Sequence, residues 1–285
     1  MKRPLLLTSL DNPRIKNIVH LRKQRQRRAS GLFVAEGTRE VSRALQAGLK
    51  LRELFFCPSV LGVDFEALKA SLPQLRNDAS AGLVFEITPA ILGKIAYIEN
   101  PEGLLALFEP PQWSLEQLPA PGHRPWGSAD LWLVAVGTEK PGNLGAMARS
   151  ASAAGVSAVL VADGEVDPLN PNAIRASTGA VFSLPIVAAP SADIIAFLRA
   201  RNVRLFAADP EGAQPYTSVD LTGPAALVIG AEDRGLDPIW RSAARESGSL
   251  ITIPMRPGIV DSLNASNAAA ILLFEAVRQR QQAPK

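Results

Sequence analysis

Hydrophobic and polar positions divide this chain into two patterns. From Leu131 onward, short apolar runs alternate with stretches of helical spacing, the order that a largely parallel sheet requires. Strands are predicted near Leu131–Val136, Ala158–Ala162, Leu184–Ala188, Val203–Ala207, Ala225–Ile229 and Leu250–Ile253, and helices near Leu144–Ala154, Asn172–Thr178, Ala192–Arg201, Pro238–Glu246 and Ala265–Gln281. Ahead of Leu131 the pattern is looser. Ile15, Ile18, Val19 and Leu21 recur at helical spacing, and Val41, Ala44 and Leu45 form the inner face of a second helix over Arg39–Ala47, which Gly48 ends. Apolar stretches at Leu54–Cys57, Leu83–Ile87 and Leu104–Phe108 complete a small mixed α/β domain over residues 1–108. Residues 109–130 contain five prolines, which exclude a continuous helix or a central strand, so this segment reads as a linker to a second domain over 131–285.

Composition sets the class. A chain of 285 residues that is 47% hydrophobic can bury a substantial core. No apolar run approaches the roughly 18 residues of a spanning helix, and the first residues lack a secretory signal, so a soluble, cytoplasmic protein is expected. The single Cys57 excludes an internal disulfide framework, and His20 and His123 form no spaced set with cysteines, so no metal site is expected.

Charge adds more than its total suggests. Residues 1–52 hold 13 Lys and Arg against 3 Asp and Glu, a balance of +10, whereas the other 233 residues hold 17 against 24, or −7. Arg22, Lys23, Arg25, Arg27 and Arg28 stand in one seven-residue run. Such a run is either a solvated helix face or a phosphate-neutralising patch that releases counterions from a nucleic acid.

Candidate chemistry gathers at three strand-to-helix corners, where open α/β sheets bind ligands. The first is Glu139–Gly155, EKPGNLGAMARSASAAG; the second is Leu227–Leu236, LVIGAEDRGL; the third is Ile251–Ala270, ITIPMRPGIVDSLNASNAAA. Neither GxxxxGK[ST] nor a strand-linked GxGxxG occurs, which argues against a P-loop ATPase and a dinucleotide-dependent oxidoreductase. Gly230 and Gly235 lack a Cβ and so permit close backbone approach to a ligand; the plainer reading is that they are turn glycines. Asn143 can cap its helix or hydrogen-bond a substrate. Glu232 can orient Arg149 or Asn143, and either Ser262 or Asn264 can be the N-cap of the final helix.

Together these segments resemble the motifs of the SpoU (TrmH) family of RNA ribose 2′-O-methyltransferases, within the knotted SPOUT superfamily. The matching elements are Asn143-Leu144-Gly145 with Arg149, Gly230 and Glu232 with Gly235-Leu236, and Ile253-Pro254-Met255 with Ser262-Leu263-Asn264; Asn170-Pro171 and Arg175-Ala176-Ser177 extend the match. Ser9-Leu10, Asn12-Pro13, Ile15-Lys16, Phe33 and Glu36-Gly37 look like the RNA substrate-binding domain often fused ahead of that catalytic domain. One departure is Lys140, where relatives often carry an acidic residue. The resemblance implies a trefoil-knotted, mostly parallel sheet flanked by helices, and a homodimer to which the last helix contributes. It also implies S-adenosylmethionine held by main-chain groups of Gly230, Ile253 and Leu263, with Pro254, Met255 and Gly235 shaping the pocket. Arg149, Asn143, Glu232, Ser262 and Asn264 are the implied catalytic set. Arg149 has been proposed as a general base in relatives. A guanidinium stays protonated in proteins, so a phosphate clamp that also stabilises the developing alkoxide is the better role. In front of these motifs the basic run favours RNA. The expected activity is S-adenosylmethionine-dependent 2′-O-methylation of ribosomal (23S) RNA. Transfer RNA is the alternative substrate; a non-catalytic ribosome-assembly factor and a base methylase are the rival readings.

Overall fold

Strand by strand, the alternation after Leu131 becomes a parallel sheet in the computed structural model, which describes residues 4–76, 83–118, 129–164, 166–212, 214–256, 258 and 262–283. By their contacts the residues form two units, Met1–Pro111 with Leu169–Ser183, and Gln112–Pro168 with Leu184–Lys285. Of the proline-rich segment, residues 119–128 lie outside the described residues; Leu118 packs into the core of the second unit.

The first unit begins with β1 (Leu5–Leu7), α1 (Pro13–His20), α2 (Gln24–Ser30), β2 (Phe33–Glu36) and α3 (Thr38–Gln46). It continues through β3 (Leu51–Phe56), α4 (Pro58–Leu61), α5 (Phe65–Ser71), β4 (Val84–Ile87), α6 (Pro89–Ile95) and β5 (Leu104–Phe108). Its five strands lie in the order β1-β4-β3-β5-β2, with β1/β4 and β3/β4 parallel and both pairs to β5 antiparallel. Asn12 caps α1 by accepting from the Arg14 N–H, and Pro13 takes the first helical position, where no N–H is needed. Gly48 ends α3 in a left-handed conformation, φ +74°, as its position predicts. Ile15, Ile18, Leu21, Phe55, Phe85 and Ile91 pack into one core. Periodicity missed β1, β2 and the four short helices α2, α4, α5 and α6, because segments this brief carry too few positions to declare a period.

The second unit holds β6 (Leu131–Val136), α7 (Pro141–Ala153) and β7 (Ala158–Ala162). Next in the chain comes α8 (Pro171–Ala176), within Leu169–Ser183, which belongs by its contacts to the first unit. There Phe182 stacks on Phe33 with centroids 5.5 Å apart, and Arg43 Nη1 donates to Thr178 Oγ1 at 2.7 Å. The second unit resumes with β8 (Ile186–Ala189), α9 (Ser191–Ala200), β9 (Arg204–Ala208), β10 (Gln214–Pro215), β11 (Ala225–Ile229), α10 (Pro238–Ser247), β12 (Ser249–Thr252) and α11 (Ala265–Gln282).

All strand pairs of this sheet are parallel, in the order β10-β12-β9-β11-β6-β7-β8. Strands β6, β7 and β11 are buried along their whole length, so both faces are covered, as parallel sheets demand. Predicted strands and observed ones agree within two residues. β8 starts after Pro185, which has no N–H to give a ladder. The unpredicted β10 is a two-residue edge strand ending in Pro215. Helix α11 was expected to be apolar on more than one face and therefore buried. It packs on α7 and β11, and Ala269, Leu272, Leu273 and Ala276 are buried, but Phe274 remains 49% exposed.

Candidate active site

Strands β6 and β11 are neighbours in the sheet but not in the chain. From β6 the chain steps outward to β7 and β8, then returns beyond β11 to β9, so the carboxyl ends of β6 and β11 flank the point where the strand order reverses. Crevices at such points are where open parallel sheets hold ligands. The loops after β6 and β11 run close together here: a Cβ added at Gly137 would lie 3.4 Å from the Ala231 Cβ. Two clefts meet on either side of the β11 loop. The smaller one is lined by Thr138, Lys140, Asn143, Glu232 and Ala265. The larger, about 380 Å³, is lined by Asp209, Gly230, Gly235, Ile253, Met255 and Leu263 among others, with Glu232 and Ser262 at its wall.

Glu232 joins the three corners. Its Oε1 accepts from Asn143 Nδ2 at 2.8 Å and from Asn264 Nδ2 at 2.6 Å, while Oε2 accepts from Lys140 Nζ. Asn264 Nδ2 also reaches Asn143 Oδ1 at 3.2 Å. The hydrogen bond from Lys140, ahead of that from Asn143, holds the Glu232 carboxyl below its ordinary range, and the same bond raises the Lys140 ammonium. Both are therefore ionised at neutral pH.

Local roles follow from this network. Asn143 is no helix cap: Lys140 is the N-cap residue of α7, Pro141 takes the first helical position, and Asn143 is the third residue in. Its amide is turned to Glu232 and Asn264 instead. Asn264 is the N-cap of α11, its Oδ1 accepting from the Ser266 N–H at 2.9 Å, so it caps and bonds Glu232 at once. Ser262 is exposed at the wall of the larger cleft and makes no side-chain hydrogen bond among the described residues.

The two glycines of the β11 loop serve different ends. A Cβ on Gly230 would stand 2.5 Å from the Gly235 carbonyl carbon, so the close approach that Gly230 permits is to its own loop. That loop is closed by the Ala231 N–H to Gly235 O at 3.0 Å and the Gly235 N–H to Ala231 O at 2.9 Å. Gly235 has φ +67° and open space around it, which makes it a turn glycine.

Other expected residues stand apart. Arg149 is exposed on α7, with no side-chain partner among the described residues. Six positions beyond Asn143, it lies about 9 Å farther along the axis and roughly 120° around it. Pro254 is exposed and lines neither cleft. In the basic run, Lys23, Arg25 and Arg28 are exposed, but Arg27 is only 6% exposed: its Nη1 donates to Leu21 O at 2.7 Å and Arg22 O at 2.8 Å beyond the end of α1. Arg22 Nη2 similarly donates to Lys94 O and Ala96 O at 3.0 and 2.7 Å. Arg27 is thus a buried brace, because carbonyls left unpaired near a helix end need donors.

Lys140, Asp209 and Arg241 went unpredicted. The Asp209 side chain is 2% exposed in the loop after β9, its Oδ1 accepting from the Glu211 N–H at 2.9 Å. Its Oδ2 lies 3.0 Å from Arg241 Nε, an ionic contact without hydrogen-bond alignment. The signal was present: an Asp-Pro pair directly after a parallel strand marks the sheet edge where ligands bind.

With this cleft in place, the sequence comparisons carry a definite assignment. Residues 130–274 match the SpoU rRNA Methylase family and residues 12–106 the MRM3-like substrate binding domain, and the chain belongs to the SpoU rRNA methylase family. It is similar to the 23S rRNA (uridine(2479)-2′-O)-methyltransferase of Streptomyces viridochromogenes, 31% identical over 91% of this chain and 87% of that one. Among solved structures, an RNA 2′-O ribose methyltransferase superposes with a TM-score of 0.80 at 40% identity, covering 97% of this chain and 99% of the other. An AdoMet-bound rRNA methyltransferase from Sinorhizobium meliloti gives 0.81 at 32% identity, over 96% and 97%.

Proposed function

We propose that this protein transfers a methyl group from S-adenosylmethionine to a ribose 2′-hydroxyl of 23S ribosomal RNA in the cytoplasm, acting as a homodimer. The observation that carries the reading is the Glu232 network, which ties Lys140 and Asn143 of the first corner and Asn264 of the third to the second corner in one wall at the switch-point cleft. A cleft of about 380 Å³ lies within the range of small-molecule sites. The backbone of Met255 and Leu263 at its wall makes no hydrogen bond among the described residues, which suits a ligand held by main-chain groups. Gly230, Gly235, Ile253, Met255 and Leu263 would hold the cofactor, with Pro254 supporting the turn. When bound, S-adenosylmethionine supplies an electrophilic methyl group on a sulfonium.

The chain's own residues would then position the acceptor. Glu232, ionised and held by three donors, fixes the Asn143 and Asn264 amides and is a poor proton acceptor at neutral pH. Ser262 offers a free hydroxyl at the wall. Arg149 offers the planar fork of its guanidinium to a target phosphate, leaving the hydroxyl proton to a phosphate oxygen or water. Residues 1–108, with exposed Lys23, Arg25 and Arg28, would bind the RNA through its backbone, joined by a linker over 109–130 to a catalytic domain over 131–285. The exposed Phe274 on α11, one turn from half-buried Ile271, supports a homodimer contact on that helix. The test is methyl transfer from labelled S-adenosylmethionine to 23S rRNA and to tRNA in the presence of EDTA, with ribose sites mapped by mass spectrometry. A 2′-O-methyl mark in 23S rRNA is expected, while labelling of tRNA alone, or of a base, would overturn the assignment.

A further inference from the structure

The larger cleft holds an ion pair that the proposed chemistry leaves unused. Asp209 opens the loop after β9 and is fixed there by its own backbone. Its N–H donates to Ile251 O and its carbonyl accepts from the Gly212 N–H, both at 2.9 Å, while Oδ1 accepts from the Glu211 N–H at 2.9 Å. A Cβ at Gly212 would stand 2.6 Å from the Ile251 carbonyl carbon, so the loop runs tight against β12. The remaining oxygen, Oδ2, is buried 3.0 Å from Arg241 Nε.

Arg241, the fourth residue of α10, borders the same cleft. Its Nε is buried beside the carboxylate, but the two Nη groups are accessible and have no partner among the described residues, and the side chain is 36% exposed. Arg234, the other cation on the wall of this cleft, is engaged by Glu139 at 3.0 Å and by Asp233 at 3.5 Å. A buried ion pair barely breaks even against apolar side chains as a support for the fold. This one holds a guanidinium still at the edge of a ligand cleft, with its outer edge open.

A guanidinium meets a carboxylate along one edge with two parallel hydrogen bonds. With the Nε side beside Asp209, the edge formed by the two Nη atoms is the one left for such a pair. S-adenosylmethionine offers a single anionic group, the carboxylate of its methionine half. Its sulfonium and ammonium repel a guanidinium, and its adenosine is neutral. We propose that Arg241 binds the methionine carboxylate of the cofactor through its two Nη groups, and that Asp209 is the positioning residue that fixes this fork. The assignment rests on the S-adenosylmethionine reading above and names the residue that recognises the amino-acid end of the cofactor.

Calorimetry on the full chain with S-adenosylmethionine and with decarboxylated S-adenosylmethionine tests it, because the second ligand keeps the sulfonium, the ammonium and the adenosine. The wild type should bind the carboxylate form roughly 10- to 150-fold more tightly, the difference that hydrogen bonds to a charged group supply. Arg241→Gln should bind both ligands alike, at the wild-type affinity for the decarboxylated one. That change leaves the Asp209 carboxylate buried without its partner, which can unfold the protein. The double variant Asp209→Asn with Arg241→Gln puts two neutral amides in place of the pair and should lose the discrimination in the same way. Asp209→Asn alone keeps the fork but frees it, so its ratio should fall between those of the wild type and the double variant. A merely structural pair would lower Tm and leave every ratio unchanged. Equal binding of the two ligands by the wild type, or a wild-type ratio in the double variant, would remove the carboxylate site and leave the methyltransferase reading standing. A wild-type ratio in Asp209→Asn alone would remove the positioning role. A retained ratio in the double variant with weakened binding of 23S rRNA would move Arg241 to an RNA phosphate instead. Failure of the wild type to bind either ligand, with or without RNA, would remove the methyltransferase reading and this site with it.

Discussion

An alanine at position 230 should damage the site through its own loop. The added Cβ would lie 2.5 Å from the Gly235 carbonyl carbon, 2.6 Å from its oxygen and 2.8 Å from the Leu236 nitrogen. Carbon contacts are comfortable from about 3.5 Å, so the 231–235 loop must retreat by about 1 Å. Glu232 sits in that loop. Its 2.8 and 2.6 Å bonds to Asn143 and Asn264 would stretch past the roughly 3.2 Å limit of a good hydrogen bond. Overpacking of this kind costs about 1–3 kcal/mol, or roughly 2–12 °C in Tm for a unit of this size. A 1 Å displacement of positioning groups can slow the chemical step by about 100-fold. Gly235→Ala is the control, because it meets nothing within 4 Å and suffers only its left-handed φ of +67°, a cost of about 1–2 kcal/mol. Scanning fluorimetry and single-turnover methyl transfer on both variants separate the effects. Similar melting losses with a large rate loss only in Gly230→Ala are expected; wild-type turnover in Gly230→Ala would refute the reasoning.

Three further outcomes can be checked. Replacing Lys23, Arg25 and Arg28 together by alanine should flatten the salt dependence of RNA binding by about 0.7 in log–log slope for each phosphate no longer neutralised. Arg27→Ala should instead lower Tm and leave the slope alone, since that guanidinium is buried on backbone carbonyls. Arg149→Lys should keep part of the single-turnover rate and Arg149→Ala far less, with cofactor affinity intact in both; a lysine variant that outpaces wild type with a new pH dependence would establish a base in place of the clamp. The Glu232 contribution is present above its ordinary pKa of 4.5 and lost as pH falls through the lowered value; the Lys140 contribution is present below 10.5 and lost as pH rises through the raised one. Cofactor affinity by calorimetry should accordingly be flat between about pH 6 and 9 for the wild type, and a sigmoid centred near 7 would contradict the ion pair.

The long, fully buried strands were legible before any coordinates because uninterrupted apolar runs such as Leu131–Val136 and Ala225–Ile229 have no other stable place than the middle of a covered sheet. The motif residues at their ends were legible for the same reason: parallel strands must release their polar chain at one edge. What each polar group does there was not legible. Glu232 meets Asn143 and Asn264 from 89 and 32 residues away, respectively, and Lys140, set down only as a departure, is its third donor. The close approach at Gly230 turned out to be to Gly235, and a residue drawn from the basic run, Arg27, turned inward to backbone carbonyls. Local sequence by itself determined periods, breakers and the order of elements, because these depend on neighbours within a few residues. Only the tertiary structure decided which polar atoms find partners, because a hydrogen bond fails over fractions of an ångström, and that distance is set by how each unit's core packs.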